Sequence, residues 1–234
     1  MPHAHPELVE DGPPTLICLH GLSGSSRWWA RVVPRLERSG PVLLLDIPRA
    51  LPPDEIPDWL VGVIEEHGAP VDLAGHSLGA LVSVRLAALR PDLVRRLVLI
   101  APPGIRSRRS VAYAWPLVRS VARSRPGFLV RLTTDALRAG PRNLVRGGRH
   151  VARADVGADL ASVTAPTLLL WGEHDRLVPF RDAAQWRERL PGARLVVLAN
   201  ARHVPMLEAP DELAEAIAGF REERLDEPSD RDGV

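Results

Sequence analysis

The chain has 234 residues, 45% of them hydrophobic, with 30 basic against 29 acidic side chains and a formal net charge of +1. That length supports one large domain with a full core, and the near-neutral balance gives no sign of a general binder of nucleic acid or acidic surfaces. Every basic residue is arginine, and the single cysteine, Cys18, excludes an intramolecular disulfide and points to a reducing, cytoplasmic setting.

The opening Met1-Pro-His-Ala-His-Pro-Glu has neither the basic start nor the apolar stretch of a signal peptide. Nowhere does an apolar run reach the roughly 18 residues that a membrane-spanning helix needs. Short apolar runs recur instead at 16–19, 42–45, 71–74, 97–100, 167–170 and 195–198, bounded by Gly, Pro or Asp. Their near-continuous apolarity predicts strands covered on both faces. Helical patterns lie between them at 27–38, 54–67, 78–90, 181–190 and 210–224. Strand and helix in alternation predict an α/β fold with a doubly wound, mainly parallel sheet. The connection from Ile100 to Thr167 exceeds the others by roughly forty residues of helical character, too many for a plain loop. Residues 104–153 are therefore expected to form a small helical cap on a core made of 1–103 and 154–234, with a charged, disordered tail at 226–234.

Three strand ends carry chemistry. The first run ends in His20-Gly21-Leu22-Ser23-Gly24-Ser25-Ser26, where glycines let the backbone turn tightly and present N–H groups inward. Ser25 or Ser26 could equally cap a following helix. The third run ends in Gly75-His76-Ser77-Leu78-Gly79, a serine between glycines at a strand-to-helix turn. Side chains at Gly75 and Gly79 would collide in such a turn, so glycine there lets the Ser77 hydroxyl stand at the amino end of the next helix. The backbone N–H groups of Leu22 and Leu78 are the candidate oxyanion hole. After the fifth and sixth runs come Asp175 and His203, at the same sheet edge as Ser77 because parallel strands point their carboxyl ends one way. Asp46, which precedes the serine, is expected to fix a loop.

With these residues in place the sequence resembles the α/β-hydrolase family. The order Ser77, Asp175, His203 is similar to that family's serine, acid and histidine, and His20-Gly21 to its oxyanion motif. Some relatives place the acid after the fourth strand, but Ala101-Pro102-Pro103-Gly104 offers no carboxylate there, which favours Asp175. Two departures stand out. Few residues precede the first strand, leaving little room for the antiparallel hairpin common in relatives, and the loop after Asp46 has Pro48-Arg49 where a glycine pair is usual. The resemblance implies a cofactor-free serine hydrolase of carboxylic esters or thioesters, working through an acyl-enzyme. Carbon-carbon bond hydrolysis, perhydrolysis, acyl transfer and a non-catalytic binding module are the alternatives.

The remaining candidates read more plainly. His76 is expected to face away from the serine and pack, His174 to be exposed, Cys18 to be buried, and Trp28 and Trp29 to fill core or line a pocket. His3, His5, His67 and His150 lack metal-ligand spacing, so no metal is assigned. Residues 104–153 carry Arg106, Arg108, Arg109, Arg119, Arg123, Arg125, Arg131, Arg138, Arg142, Arg146, Arg149 and Arg153 against the lone acid Asp135. This is either a solvated basic face or an attractor for an anionic substrate, an acidic carrier or an acidic membrane surface. No nucleic-acid motif accompanies it.

Overall fold

The computed structural model describes residues 15–105 and 126–223. Six strands form one sheet, β1 (Leu16–Leu19), β2 (Val42–Leu45), β3 (Val71–His76), β4 (Val94–Ile100), β5 (Thr167–Gly172) and β6 (Arg194–Leu198), in the order β2-β1-β3-β4-β5-β6. Every neighbouring pair is parallel. The main helices are α1 (Ile56–Glu66), α2 (Leu78–Leu89), α3 (Pro126–Ala139), α4 (Pro141–Arg153), α5 (Ala183–Arg189) and α6 (Pro210–Glu222). The chain leaves β1 toward β2 and returns to place β3 on the other side of β1. Winding therefore reverses between β1 and β3, and open sheets of this kind bind ligands in the crevice at that point.

Alternation along the strands builds two cores. Ile17, Leu19, Leu97, Leu99, Leu169 and Trp171 face a layer with α1, α2 and α5. Leu16, Cys18, Val98, Ile100, Leu168 and Leu170 face the Trp28–Leu36 segment and α6. The central strands are buried on both faces, which is why their sequences are apolar throughout, whereas the edge strand β6 exposes Arg194 and Val197. Beyond β2, at the other edge, no further strand is added among the described residues.

Local predictions differ from the structure in two places. The helix expected over 27–38 is instead a 3-10 turn (Ser26–Trp29), one α-turn (Val33–Leu36) and a second 3-10 turn (Glu37–Ser39). Pro34 has no N–H to donate to Ala30 and its ring clashes with that carbonyl, so a continuous helix cannot form. The fourth strand starts at Val94 rather than Leu97, because Arg95 and Arg96 interrupt the apolar run while pairing with β3 resumes after a one-residue register shift at Arg95.

Helices α3 and α4 belong to the long insertion between β4 and β5 and reach the carboxyl edge of the sheet. Asp135 of α3, only 4% exposed, accepts hydrogen bonds from Trp28 Nε1 at 2.9 Å and Ser25 Oγ at 3.1 Å. Gly147 of α4 lies so close to Leu22 that a Cβ there would sit 2.4 Å from its Cδ1. Arg106, Arg108, Arg109, Arg119, Arg123 and Arg125 lie outside the described residues, as does the tail at 226–234.

At the opposite, amino-terminal end of β3, Asp72 is fully buried. It accepts two hydrogen bonds from Arg95, at 2.8 and 2.6 Å, and one from Arg221 Nε at 2.9 Å. Removing one member of a buried charge group strands the others. Asp72→Ala is therefore expected to cost about 3–5 kcal/mol, read as a lowered urea midpoint with unchanged m-value.

Candidate active site

The turn after β3 gathers the site. Ser77 has φ 53° and ψ −112°, a left-handed conformation that a side-chain-bearing residue keeps only under constraint, at an order of 1–3 kcal/mol. Its N–H donates to the carbonyl of Ile100 at 2.9 Å. The flanking glycines are required by contact. A Cβ on Gly75 would lie 2.4 Å from the Gly79 carbonyl oxygen, and one on Gly79 would lie 2.8 Å from that of His20. The turn thus seats α2 directly against the end of β1.

Around the Ser77 side chain three loops meet. His203 Nε2 lies 3.2 Å from Ser77 Oγ, and His203 Nδ1 lies 2.8 Å from Asp175 Oδ2. A carboxylate only accepts, so Nδ1 carries the proton and Nε2 is free to accept from the hydroxyl. The other oxygen of Asp175 accepts N–H bonds from Leu177 and Val178 at 2.8 and 2.9 Å. The Asp175 and His203 loops are stitched together as well, since His174 N–H donates to the Ala201 carbonyl and a Cβ on Gly172 would lie 2.1 Å from the Arg202 carbonyl oxygen. Asp46, by contrast, holds the backbone and side chain of Ser26, at 2.6 and 3.2 Å. Neither Ser25 nor Ser26 makes a side-chain cap to the 3-10 turn.

Two further imidazoles flank this line. His20 Nδ1 donates to the Gly21 carbonyl at 2.8 Å while Nε2 accepts from Ile47 N–H at 3.1 Å, so both nitrogens are spent in the neutral form. His76 is buried, but it does not face away from the site. Its ring centroid is 4.9 Å from that of His203, and its Nε2 donates to the His203 carbonyl at 2.7 Å. The proximity explains Gly21, where a Cβ would lie 2.8 Å from His76 Nδ1. The left-handed residue of that loop is Ser23, with φ 63°, rather than a glycine. His174 is exposed, Cys18 is buried with its thiol pushed up by desolvation, and Trp28 and Trp29 are buried.

Sequence reasoning missed Glu208. Its carboxylate accepts the N–H groups of Arg202 at 2.8 Å and Val204 at 3.3 Å, bracketing His203, and burial pushes it up from the usual carboxylate range. The signal, a glutamate five positions after the histidine, means nothing until the loop closes back on it. Leu22 and Leu78 line one cleft with Gly21, Ile47, Leu51 and Ile56, and Arg49, Asn143 and Arg146 line it as well. Leu78 opens α2, where a backbone N–H has no acceptor within the helix. Among the described residues no cluster of His, Cys, Asp or Glu is arranged to hold a metal ion, and no helix is long and apolar enough to cross a membrane.

Desolvation holds the imidazoles of His20 and His76 below the ordinary value, and for His76 the neighbouring His203 adds to the effect. The unfolded chain takes up protons near pH 6.5 that these folded rings refuse. Their contribution to stability is therefore full above that pH and is lost as pH falls toward the depressed folded values. Unfolding free energy is expected to decline from pH 7 to 5, and His76→Phe to remove up to about 1.4 kcal/mol per pH unit of that slope. Urea titrations at several pH values read both.

The arrangement has relatives. The model of the family described as "Alpha/beta hydrolase family" matches residues 16–216. Among curated proteins, a pimeloyl-[acyl-carrier protein] methyl ester esterase of Neisseria meningitidis is 28% identical over 95% of this chain and 81% of its own length. A Pseudomonas savastanoi pv. phaseolicola protein named "Putative carbamate hydrolase RutD" is 31% identical over 84% of this chain and 89% of its own. In fold, the enol-lactonase from Burkholderia xenovorans superposes with a TM-score of 0.78, at 20% identity, over 90% of this chain and 92% of that one. A parallel sheet with its winding reversal at the site, and a family match spanning nearly all the described residues, lead to one conclusion: this chain belongs to the α/β-hydrolase family.

Proposed function

We propose that the protein is a cofactor-free serine hydrolase that cleaves a carboxylic ester or thioester through an acyl-enzyme. The observation that carries this reading is the continuous line Asp175 Oδ2, His203, Ser77 Oγ, at 2.8 and 3.2 Å, ending on a strained turn whose next residue, Leu78, lines a cleft. Relatives named for ester and carbamate hydrolysis support it.

In this reading His203 Nε2 takes the Ser77 proton as Oγ attacks the acyl carbon. Asp175 stays ionised, fixing the tautomer and stabilising the imidazolium. The developing oxyanion takes the N–H groups of Leu22 and Leu78, and losing one such donor typically costs about 2.7–4 kcal/mol of barrier. The intermediate then collapses, and the departing alkoxide or thiolate receives the proton from His203. Water repeats the sequence to release the acid. These three side chains supply the base, the nucleophile and the counter-charge, so the chemistry calls for no metal or redox group. His20, Gly21, Gly75 and Gly79 shape the turns that present the donors.

Residues 104–153 act in this reading as a cap whose arginines favour an anionic substrate, whether a small ester or an acyl group on an acidic carrier. The unpaired Cys18 suits a cytoplasmic location.

A panel of nitrophenyl esters of rising chain length, with a thioester and a carbamate added, tests the proposal. The wild type is expected to turn over at least one class. Ser77→Ala should lose about 10⁶ in kcat and Asp175→Asn about 10⁴. Turnover that survives Ser77→Ala would move the chemistry elsewhere.

A further inference from the structure

The cleft that reaches Leu78, the residue after Ser77, is lined by groups of two kinds. Gly21, Leu22, Leu78 and the apolar side chains of Ile47, Leu51 and Ile56 make up most of it. Arg49, from the loop after β2, and Arg146, from α4, also line it.

Arg146 is half-buried and donates through Nη2 alone, to the carbonyls of Arg49 at 3.0 Å and Leu51 at 2.7 Å and to Asn143 Oδ1 at 3.4 Å. Arg49 Nη1 donates to the Arg138 carbonyl. All these acceptors are neutral. They fix the two side chains in place and leave the Nε–H and one amino group of each guanidinium for other acceptors. Arginines nearby are treated differently, with Arg85 3.4 Å from Asp54 and Arg138 3.6 Å from Asp135. Of the acids on the adjoining elements, Asp46 holds Ser26, Asp54 lies beside Arg85 and His150, and Asp135 accepts from Trp28 and Ser25, while Glu55 and Asp58 are exposed. Among the described residues no carboxylate pairs with Arg49 or Arg146. Two cations, half-buried Arg146 and exposed Arg49, therefore line one apolar cleft with no carboxylate paired to either among the described residues.

We propose that Arg49 and Arg146 form an anion subsite that takes a carboxylate at the far end of the substrate's acyl chain, so that the preferred substrates are monoesters of dicarboxylic acids. The inference rests on the ester-hydrolase reading above and deepens it. Arg49, which uses only Nη1, keeps its Nε/Nη2 edge to match a carboxylate's two oxygens, Arg146 adds charge and a single N–H, and the apolar side chains lining the cleft take the methylenes. Partial burial of Arg146 raises the worth of its share over that of a fully exposed charge.

The test compares nitrophenyl monoesters of dicarboxylic acids, from succinate to suberate, with neutral alkanoate esters of matched length. At the chain length that spans the cleft the charged ester is expected to exceed its neutral partner in kcat/KM by about tenfold or more. That ratio should fall toward one in Arg49→Gln and shrink at high salt. Arg146 also ties down the loop carbonyls, so Arg146→Gln is read with its melting temperature beside it, and exposed Arg49 carries the decision. Neutral esters hydrolysed as well as charged ones at every length, or a preference that survives Arg49→Gln, would overturn the subsite while leaving the hydrolase intact. Calorimetry of the mono-anilide of the matching diacid with Ser77→Ala protein, with and without Arg49→Gln, reads the subsite independently of turnover. Binding lost with Arg49 while no ester is hydrolysed would sink the hydrolase reading alone.

Discussion

The backbone of Ser77 is the constraint on which the rest of the molecule depends. A residue with a side chain is held at φ 53° by a bond from its N–H to the end of β4 and by two glycines that allow closer approach than any Cβ would permit. Because Gly79 sits against the last residues of β1, the strain is stored between the two strands where the winding reverses. Fixing this turn fixes the start of α2, the neighbouring β1 loop and the wall of the cleft at once. A relaxed turn would lay the hydroxyl down along the sheet and leave His203 with nothing to meet.

Around that point the protein controls protons by geometry. Each of the three adjacent imidazoles has its tautomer set by a partner that can only accept or only donate: Asp175 for His203, the Gly21 carbonyl and Ile47 N–H for His20, the His203 carbonyl for His76. Burial discourages charge on His20 and His76, so the ring of His203 has neutral neighbours. His203 is held by its own backbone as much as by its side chain. Glu208 grips the N–H groups on either side of it and His76 grips its carbonyl. In the proposed reaction, a ring located from both directions would lose little freedom on meeting a substrate.

Much of this was legible before any coordinates. Strands buried on both faces announce themselves as apolar runs, and parallel strands send their carboxyl ends to one rim, so Ser77, Asp175 and His203 could be assigned to a common edge from order alone. What stayed hidden depends on partners far along the chain. Nothing near Asp135 says that it will accept from Trp28 and Ser25, and nothing near Glu208 says that it will close around His203. His76 faces the site because the His203 loop, far along the chain, packs against its ring. Arg95 and Arg96 hid the first half of β4, since nothing in the local sequence says that Asp72 will answer Arg95 or that the Glu223 carbonyl will accept from Arg96. Pro34 was visible, and weighing it against the apolar periodicity would have broken the helix expected at 27–38.

The central claim is that Ser77, through His203, is a nucleophile activated by its surroundings and not merely a serine in a tight turn. Covalent labelling of the native protein with a fluorophosphonate, mapped by peptide mass spectrometry, tests it most directly. The account predicts one adduct, on Ser77, formed rapidly in the wild type and far more slowly in His203→Ala. A native protein that leaves Ser77 unmodified, or labels it equally fast without His203, would contradict it.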